Sequence, residues 1–134
     1  DQTKVLQLIT KACDANHDQA CHLLGSLYFE GVGVSKNISK ALEILTKTCQ
    51  ASNSKASITA CLSAAEIYNS SNDIKDNKLK AESFFKKACD QNKADACYYL
   101  GLIHWHGEGV KTDKVKAEIK NQFKMDGYVS FVKF

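Results

Sequence analysis

"ACHLLGSLYFEGVGV" at residues 20–34 returns as "ACYYLGLIHWHGEGV" at residues 96–110, and the reading of this pair decides the fold. The two copies share Ala, Cys, Leu and Gly at matching positions and close on the same Gly-x-Gly-Val. In the first copy Ala20, Leu24, Leu27 and Tyr28 stand at i, i+4, i+7 and i+8, a single stripe along a helix; Ala96, Leu100, Ile103 and His104 repeat it. Gly25 and Gly101, inside the stripe, leave room for a neighbouring helix to approach. The closing glycines end the helix, because glycine adopts the left-handed conformation that a tight helix-to-helix turn needs.

Working outward, the cysteines set a period. Cys13 to Cys49 and Cys61 to Cys97 are each 36 positions apart, whereas Cys21 to Cys61 and Cys49 to Cys89 are 40 apart. The difference coincides with "CQASNSKASITAC" (49–61), four residues longer than "CDANHDQAC" (13–21) and "CDQNKADAC" (89–97), and so places a four-residue insertion in one turn. The middle copy, "ACLSAAEIYNSSNDI" (60–74), keeps Ala60, Cys61, Ile67 and Tyr68 but lacks the glycines. A second helix follows each first one: Ala41, Leu42, Leu45 and Cys49 form its stripe, matched by Ala81, Phe84, Phe85 and Cys89. In "KVKAEIKNQFKM" Met125 stands where the register calls for cysteine. "VLQLITKAC" (5–13) is an unpaired second helix at the start.

The division expected is a leading helix of a partial repeat (1–16), repeats at 17–50, 51–90 (degenerate) and 91–126, and a tail at 127–134, all one repeat domain. In the tail, "GYVSFVKF" breaks the register and alternates aromatic and β-branched residues, which suits an extended segment capping the last helix.

The totals fit one ordinary soluble domain. There are 134 residues, 44% hydrophobic, with a formal charge of +3 spread along the chain rather than gathered into the basic stripe of a nucleic-acid binder. No apolar run approaches the roughly 18 residues of a membrane span, and no segment resembles a signal peptide. The only methionine is Met125, so a start at Asp1 reads as a processed product, consistent with a removed export signal. Six cysteines, an even number, favour a disulfide framework in an oxidising compartment.

The Ala-x-x-x-Leu-Gly-x-x-Tyr-x-x-Gly-x-Gly-Val pattern at about 36 residues resembles the Sel-one-like repeat, a relative of the tetratricopeptide repeat. With a cysteine ending each second helix and another opening the next first helix, the chain is similar to the Helicobacter cysteine-rich protein family. The resemblance reaches from the start to about Met125 and implies an all-α, right-handed α/α superhelical solenoid. If Cys13 ends one helix and Cys21 opens the next, the polar segment between them is the reversal, and the repeat pairs Cys13 with Cys21, Cys49 with Cys61 and Cys89 with Cys97. Each such staple closes a short loop and stabilises by roughly 2 to 3 kcal/mol in the chain-entropy model. The rival is zinc: Cys13, His17, Cys21 and His22 are four soft ligands within ten residues, although the other two pairs carry no comparable histidines.

Positions that differ between copies are the expected binding surface: His22, Ser26, Phe29 and Glu30; Leu62, Glu66 and Asn69; Tyr98, Leu102, Trp105 and His106. Their aromatic and polar mixture suits a protein or peptide partner. In "HWHGEG" (104–109) His104 takes the core-facing place of Tyr28 and Tyr68, which leaves His106 as the exposed histidine. The resemblance also implies penicillin binding and weak β-lactam hydrolysis, on a β-lactam or peptidoglycan-like ligand. Ser-x-x-Lys occurs at Ser52/Lys55, Ser83/Lys86 and Ser130/Lys133, a chance-level yield in a lysine-rich chain, with no Ser-Asp-Asn and only "KTD" (111–113) near the third motif. No nucleophile emerges. The sequence thus predicts a monomeric interaction module without cofactor or metal, secreted or periplasmic in a bacterium, with a β-lactamase-like hydrolase as the alternative.

Overall fold

The computed structural model of the protein describes residues 1–70 and 77–106, with side chains described as far as Trp105. They form six helices: α1 (Gln2–Asp14), α2 (Asp18–Glu30), α3 (Ile38–Ala51), α4 (Lys55–Ser70), α5 (Asn77–Asp90) and α6 (Ala94–His106). There is no strand among the described residues. Each helix packs on the next, and α2 also packs directly on α4, which sets the first helices side by side along one face. This is the all-α solenoid expected from the repeat. The second helix of the last unit and the tail at 127–134 lie outside the described residues, as does the closing "GEGV" (107–110).

The helix starts are fixed by side chains that take up free backbone N–H groups. Asp1 Oδ1 accepts from Thr3 N at 2.9 Å, His17 Nδ1 from Ala20 N at 3.1 Å, Asn37 Oδ1 from Lys40 N at 2.9 Å and Ser54 Oγ from Ser57 N at 3.1 Å. Gly31 ends α2 in the left-handed conformation, φ 74°, its N–H donating to Leu27 O at 2.8 Å. Asn16 and Asn92, at the same place in the two outer cysteine turns, are likewise left-handed, φ 67° and 66°. Their N–H groups donate to Cys13 O and Cys89 O at 2.8 and 2.9 Å, so asparagine performs one capping task twice.

The middle turn differs. Ser52 is extended there, and the carbonyls at the end of α3 turn to side chains instead. The fully buried Ser57 hydroxyl, with one proton to donate, lies 2.8, 3.1 and 2.7 Å from the carbonyl oxygens of Thr48, Cys49 and Ser52. Lys87 Nζ reaches across from α5 to donate to Cys49 O.

The four extra residues of this unit do not lengthen the turn, which corrects the expectation from sequence. The turns at 15–17, 52–54 and 91–93 are all three residues long. The insertion is absorbed by helix: α4 begins six residues before Cys61, whereas α2 and α6 begin three before Cys21 and Cys97, and α3 runs one residue further past its cysteine than α1 does. Nearly one turn of helix at 3.6 residues per turn carries the added chain without moving the cysteine off its face.

The core centres on α4. Phe85, Cys49, Cys61 and Ala65 are fully shut off from solvent, joined by Leu100 and Ile103 of α6. Burial of a side chain as large as that of Phe85 contributes about 1.5 to 3 kcal/mol. Gly25 earns its place by contact, since a Cβ there would meet Leu45 Cγ at 2.7 Å. The degenerate copy fills the equivalent position with Ala65, and its helix is still the most deeply buried because neighbours flank it on both sides.

Candidate binding groove

Because α2 and α4 lie side by side with α6 beyond them, their outward-facing side chains frame a groove of about 480 Å³. Ser26, Phe29 and Glu30 come from α2; Ser63, Glu66, Ile67, Asn69 and Ser70 come from α4. Leu45 and Phe85 form the floor from the second helices, and Tyr99 enters from α6. The volume falls in the range of small-ligand and peptide side-chain pockets.

Apolar floor and polar rim are held in place from below. Phe85 stacks on Tyr99 with ring centroids 5.2 Å apart, and Tyr98 tilts against Tyr99 at 5.6 Å. Lys36 Nζ lies 5.7 Å from the centre of the Phe29 ring. Lys78 Nζ donates to Asn69 O at 2.6 Å, which fixes the far end of α4. His22 Nε2 meets Ser63 Oγ at 3.2 Å across α2 and α4. Burial, followed by the charge of Lys93, lowers the pKa of His22 and favours the neutral ring. Burial and then the like charge of Asp95 raise that of Glu66.

Of the positions singled out from sequence, Ser26, Phe29, Glu30, Glu66 and Asn69 line this groove. His22 sits behind it against Ser63. Tyr98 and Leu102 are half-buried, and Trp105, 40% exposed, is on α6 away from the groove lining. The His106 side chain is outside the described residues. Leu62 is a correction: at 9% exposure it belongs to the core with Ile58 and Phe85. Its register partners His22 and Tyr98 are half-buried, and the middle helix, covered from both sides, closes over the same position. Sequence reasoning missed Ser63, Ile67, Ser70 and Tyr99; only the neighbour of Tyr99, Tyr98, drew notice as an aromatic.

His104 is 3% exposed, in the core-facing place expected of it, with Nε2 3.9 Å from Glu82 Oε1. The four ligands of the zinc reading are dispersed. Cys13 and Cys21 form a disulfide with Cα atoms 4.6 Å apart, as do Cys49 with Cys61 and Cys89 with Cys97, while His17 caps α2 and His22 turns to Ser63. Among the described residues no group of three or more His, Cys, Asp or Glu could hold a metal ion. Of the serines in the Ser-x-x-Lys matches, Ser52 and Ser83 are not in the groove lining: Ser52 donates to Asp18 Oδ2 at 2.8 Å, and Lys86, the partner of Ser83 in its match, pairs with Asp90 at 2.8 Å; Ser130 and Lys133 are outside the described residues.

Comparison with known proteins agrees with this architecture. The family model of the Sel1 repeat matches residues 18–53, 59–93 and 94–119. Cytochrome c oxidase assembly factor 7 of Xenopus tropicalis is 32% identical over 105 residues, covering 75% of this chain, which in turn spans 45% of that relative's length. HcpE of Helicobacter pylori, which carries a provisional beta-lactamase name, is 43% identical over 37 residues, 28% of this chain and 10% of that protein. The crystal structure of a Sel1 repeat protein from Oxalobacter formigenes superposes with a TM-score of 0.74 at 24% identity, over 99% of this chain and 51% of the other.

Proposed function

The chain belongs to the Sel1 repeat family, and from that premise we propose that it is a protein- and peptide-binding module whose contact surface is the groove between α2, α4 and α6. One observation carries this reading: an open groove presents the half-buried aromatics Phe29 and Tyr99 above the buried Leu45 and Phe85, between polar side chains supplied by separate repeats, the form in which stacked helix pairs offer an extended segment a continuous track. The name of the matched cytochrome c oxidase assembly factors, that of proteins acting in the assembly of another, supports a protein-binding reading. Three disulfides suit an oxidising compartment, and a secreted or periplasmic setting in an envelope or host-facing role fits that chemistry. No described helix is long and apolar enough to cross a membrane.

The hydrolase alternative has one geometric support, the Ser63–His22 contact at 3.2 Å. Against it, Ser63 sits in the interior of α4, where backbone N–H groups are spent within the helix and supply no oxyanion site. Screening an immobilised random peptide library tests the binding reading. Captured sequences are expected to lose at least fivefold in affinity on Phe29→Ala and to be indifferent to Trp105→Ala. Loss on Trp105→Ala with Phe29→Ala unchanged would move the site to the outer face of α6, and a penicillin adduct on Ser63 in intact-mass spectra would restore the hydrolase.

A further inference from the structure

We infer that the groove selects a segment presenting a lysine or arginine to Glu30 and Glu66, beside an apolar side chain seated on Phe29 and Tyr99. The inference rests on the peptide-binding reading and adds the partner's chemistry.

The chain as a whole is basic, with 18 Lys and Arg against 15 Asp and Glu, yet among the described residues the only charged side chains lining the groove are the two glutamates. Two ammonium groups beside it, among the described residues, are already engaged: Lys36 lies over the Phe29 ring, and Lys78 donates to the Asn69 carbonyl and side chain. Among the described residues neither Glu30 nor Glu66 takes part in a hydrogen bond or ion pair. Asp95 adds a further negative charge close to Glu66, and partial desolvation of this solvent-facing carboxyl, followed by that repulsion, holds it above its ordinary pKa. Two carboxylates with unused acceptor capacity, set beside an apolar wall that weakens screening, form a local negative field that a cation relieves.

A bare metal ion is a poor fit, since the two carboxylates come from separate helices with no third ligand grouped beside them among the described residues. A side-chain cation fits better. Its aliphatic stem or guanidinium plane covers aromatic surface, here Phe29 and Tyr99, while the charge reaches the rim.

The test is fluorescence anisotropy with three labelled eight-residue peptides in which leucine alternates with lysine, serine or glutamate. The lysine peptide is expected to bind about tenfold more tightly than the serine peptide, to weaken with added salt, and to lose most of that advantage on Glu30→Gln or Glu66→Gln. Both glutamates are exposed, so these variants keep the fold, which a thermal melt verifies. Glu43→Gln, on α3 away from the groove, is expected to change nothing. Equal binding of the three peptides, or equal loss on Glu43→Gln, overturns the cation selectivity while leaving the groove as a peptide site. Absence of binding by every peptide overturns both readings together.

Discussion

At the scale of single residues, the repeats are tied to each other through their turns. Asp18, at the start of α2, accepts from Ser52 Oγ at 2.8 Å and Ser54 Oγ at 2.7 Å, so the first residue of one unit holds the middle turn of the next. Those bonds, that from Ser54 first and then that from Ser52, lower the Asp18 pKa from its ordinary 3.8. A group whose pKa is depressed by folding contributes stability above its unfolded value and loses it as pH falls through the folded one. Asp18→Asn is therefore expected to destabilise at neutral pH and to narrow its deficit relative to the parent as the pH drops below about 4. Urea unfolding of both proteins at several pH values between 2 and 7 checks this; parallel curves would show that the serine bonds add nothing. None of this tie was legible in the sequence. Aspartate after a turn reads as a helix start, and its donors lie 34 and 36 residues away. The asparagines at 16 and 92 were legible only as polar turn residues, since a positive φ leaves no mark beyond residue type.

At the scale of elements, the stripe at helical spacing located the helices and the cysteines located their turns, because both are local properties. Depth was a different matter. Val5, Ala41 and Ala81 occupy one register position, yet Val5 is 52% exposed on α1 whereas both alanines are fully buried on α3 and α5. The alanine positions are covered by the preceding first helix, α2 or α4, and a period cannot say how many neighbours a unit has. The same reasoning explains Leu62. Where the contact itself is small, though, sequence was informative: Gly25 marked a close approach, and the structure puts Leu45 against it. Gly25→Ala tests that contact against intrinsic propensity. Alanine favours a helix interior by up to about 1 kcal/mol over glycine. The added Cβ would sit 2.7 and 2.8 Å from Leu45 Cγ and Cδ2, on a side chain only 1% exposed, so Leu45 or the helices must shift to admit it. Overpacking of this kind costs about 1 to 3 kcal/mol, so steric crowding wins and the net effect expected is a loss of about 1 kcal/mol. Chemical denaturation measures it directly; a gain in stability would mean that α2 and α3 can spread apart at no cost.

At the scale of the molecule, the three staples are chemically alike and differ in position. Their sequence separations of 8, 12 and 8 residues give nearly equal chain-entropy contributions, about 2.5 to 3 kcal/mol each. A solenoid, however, is stabilised by its units and by the interfaces between neighbours, so the same constraint has different consequences at an end and in the middle. Cys13–Cys21 fastens α1, a helix without a single buried residue. Cys49–Cys61 is fully buried and joins α3 to α4, on which the core is centred. Replacing Cys13 and Cys21 by alanine is expected to release α1 locally, with its amides exchanging quickly while those of α3, α4 and α5 keep their protection. Replacing Cys49 and Cys61 by alanine is expected to lower global stability by about 2 to 5 kcal/mol and to strip protection from α3 and α4 together. Hydrogen exchange resolved by helix separates the two patterns. Uniform loss of protection in both variants would mean that the chain unfolds as one cooperative unit and that loop entropy alone sets the value of each staple.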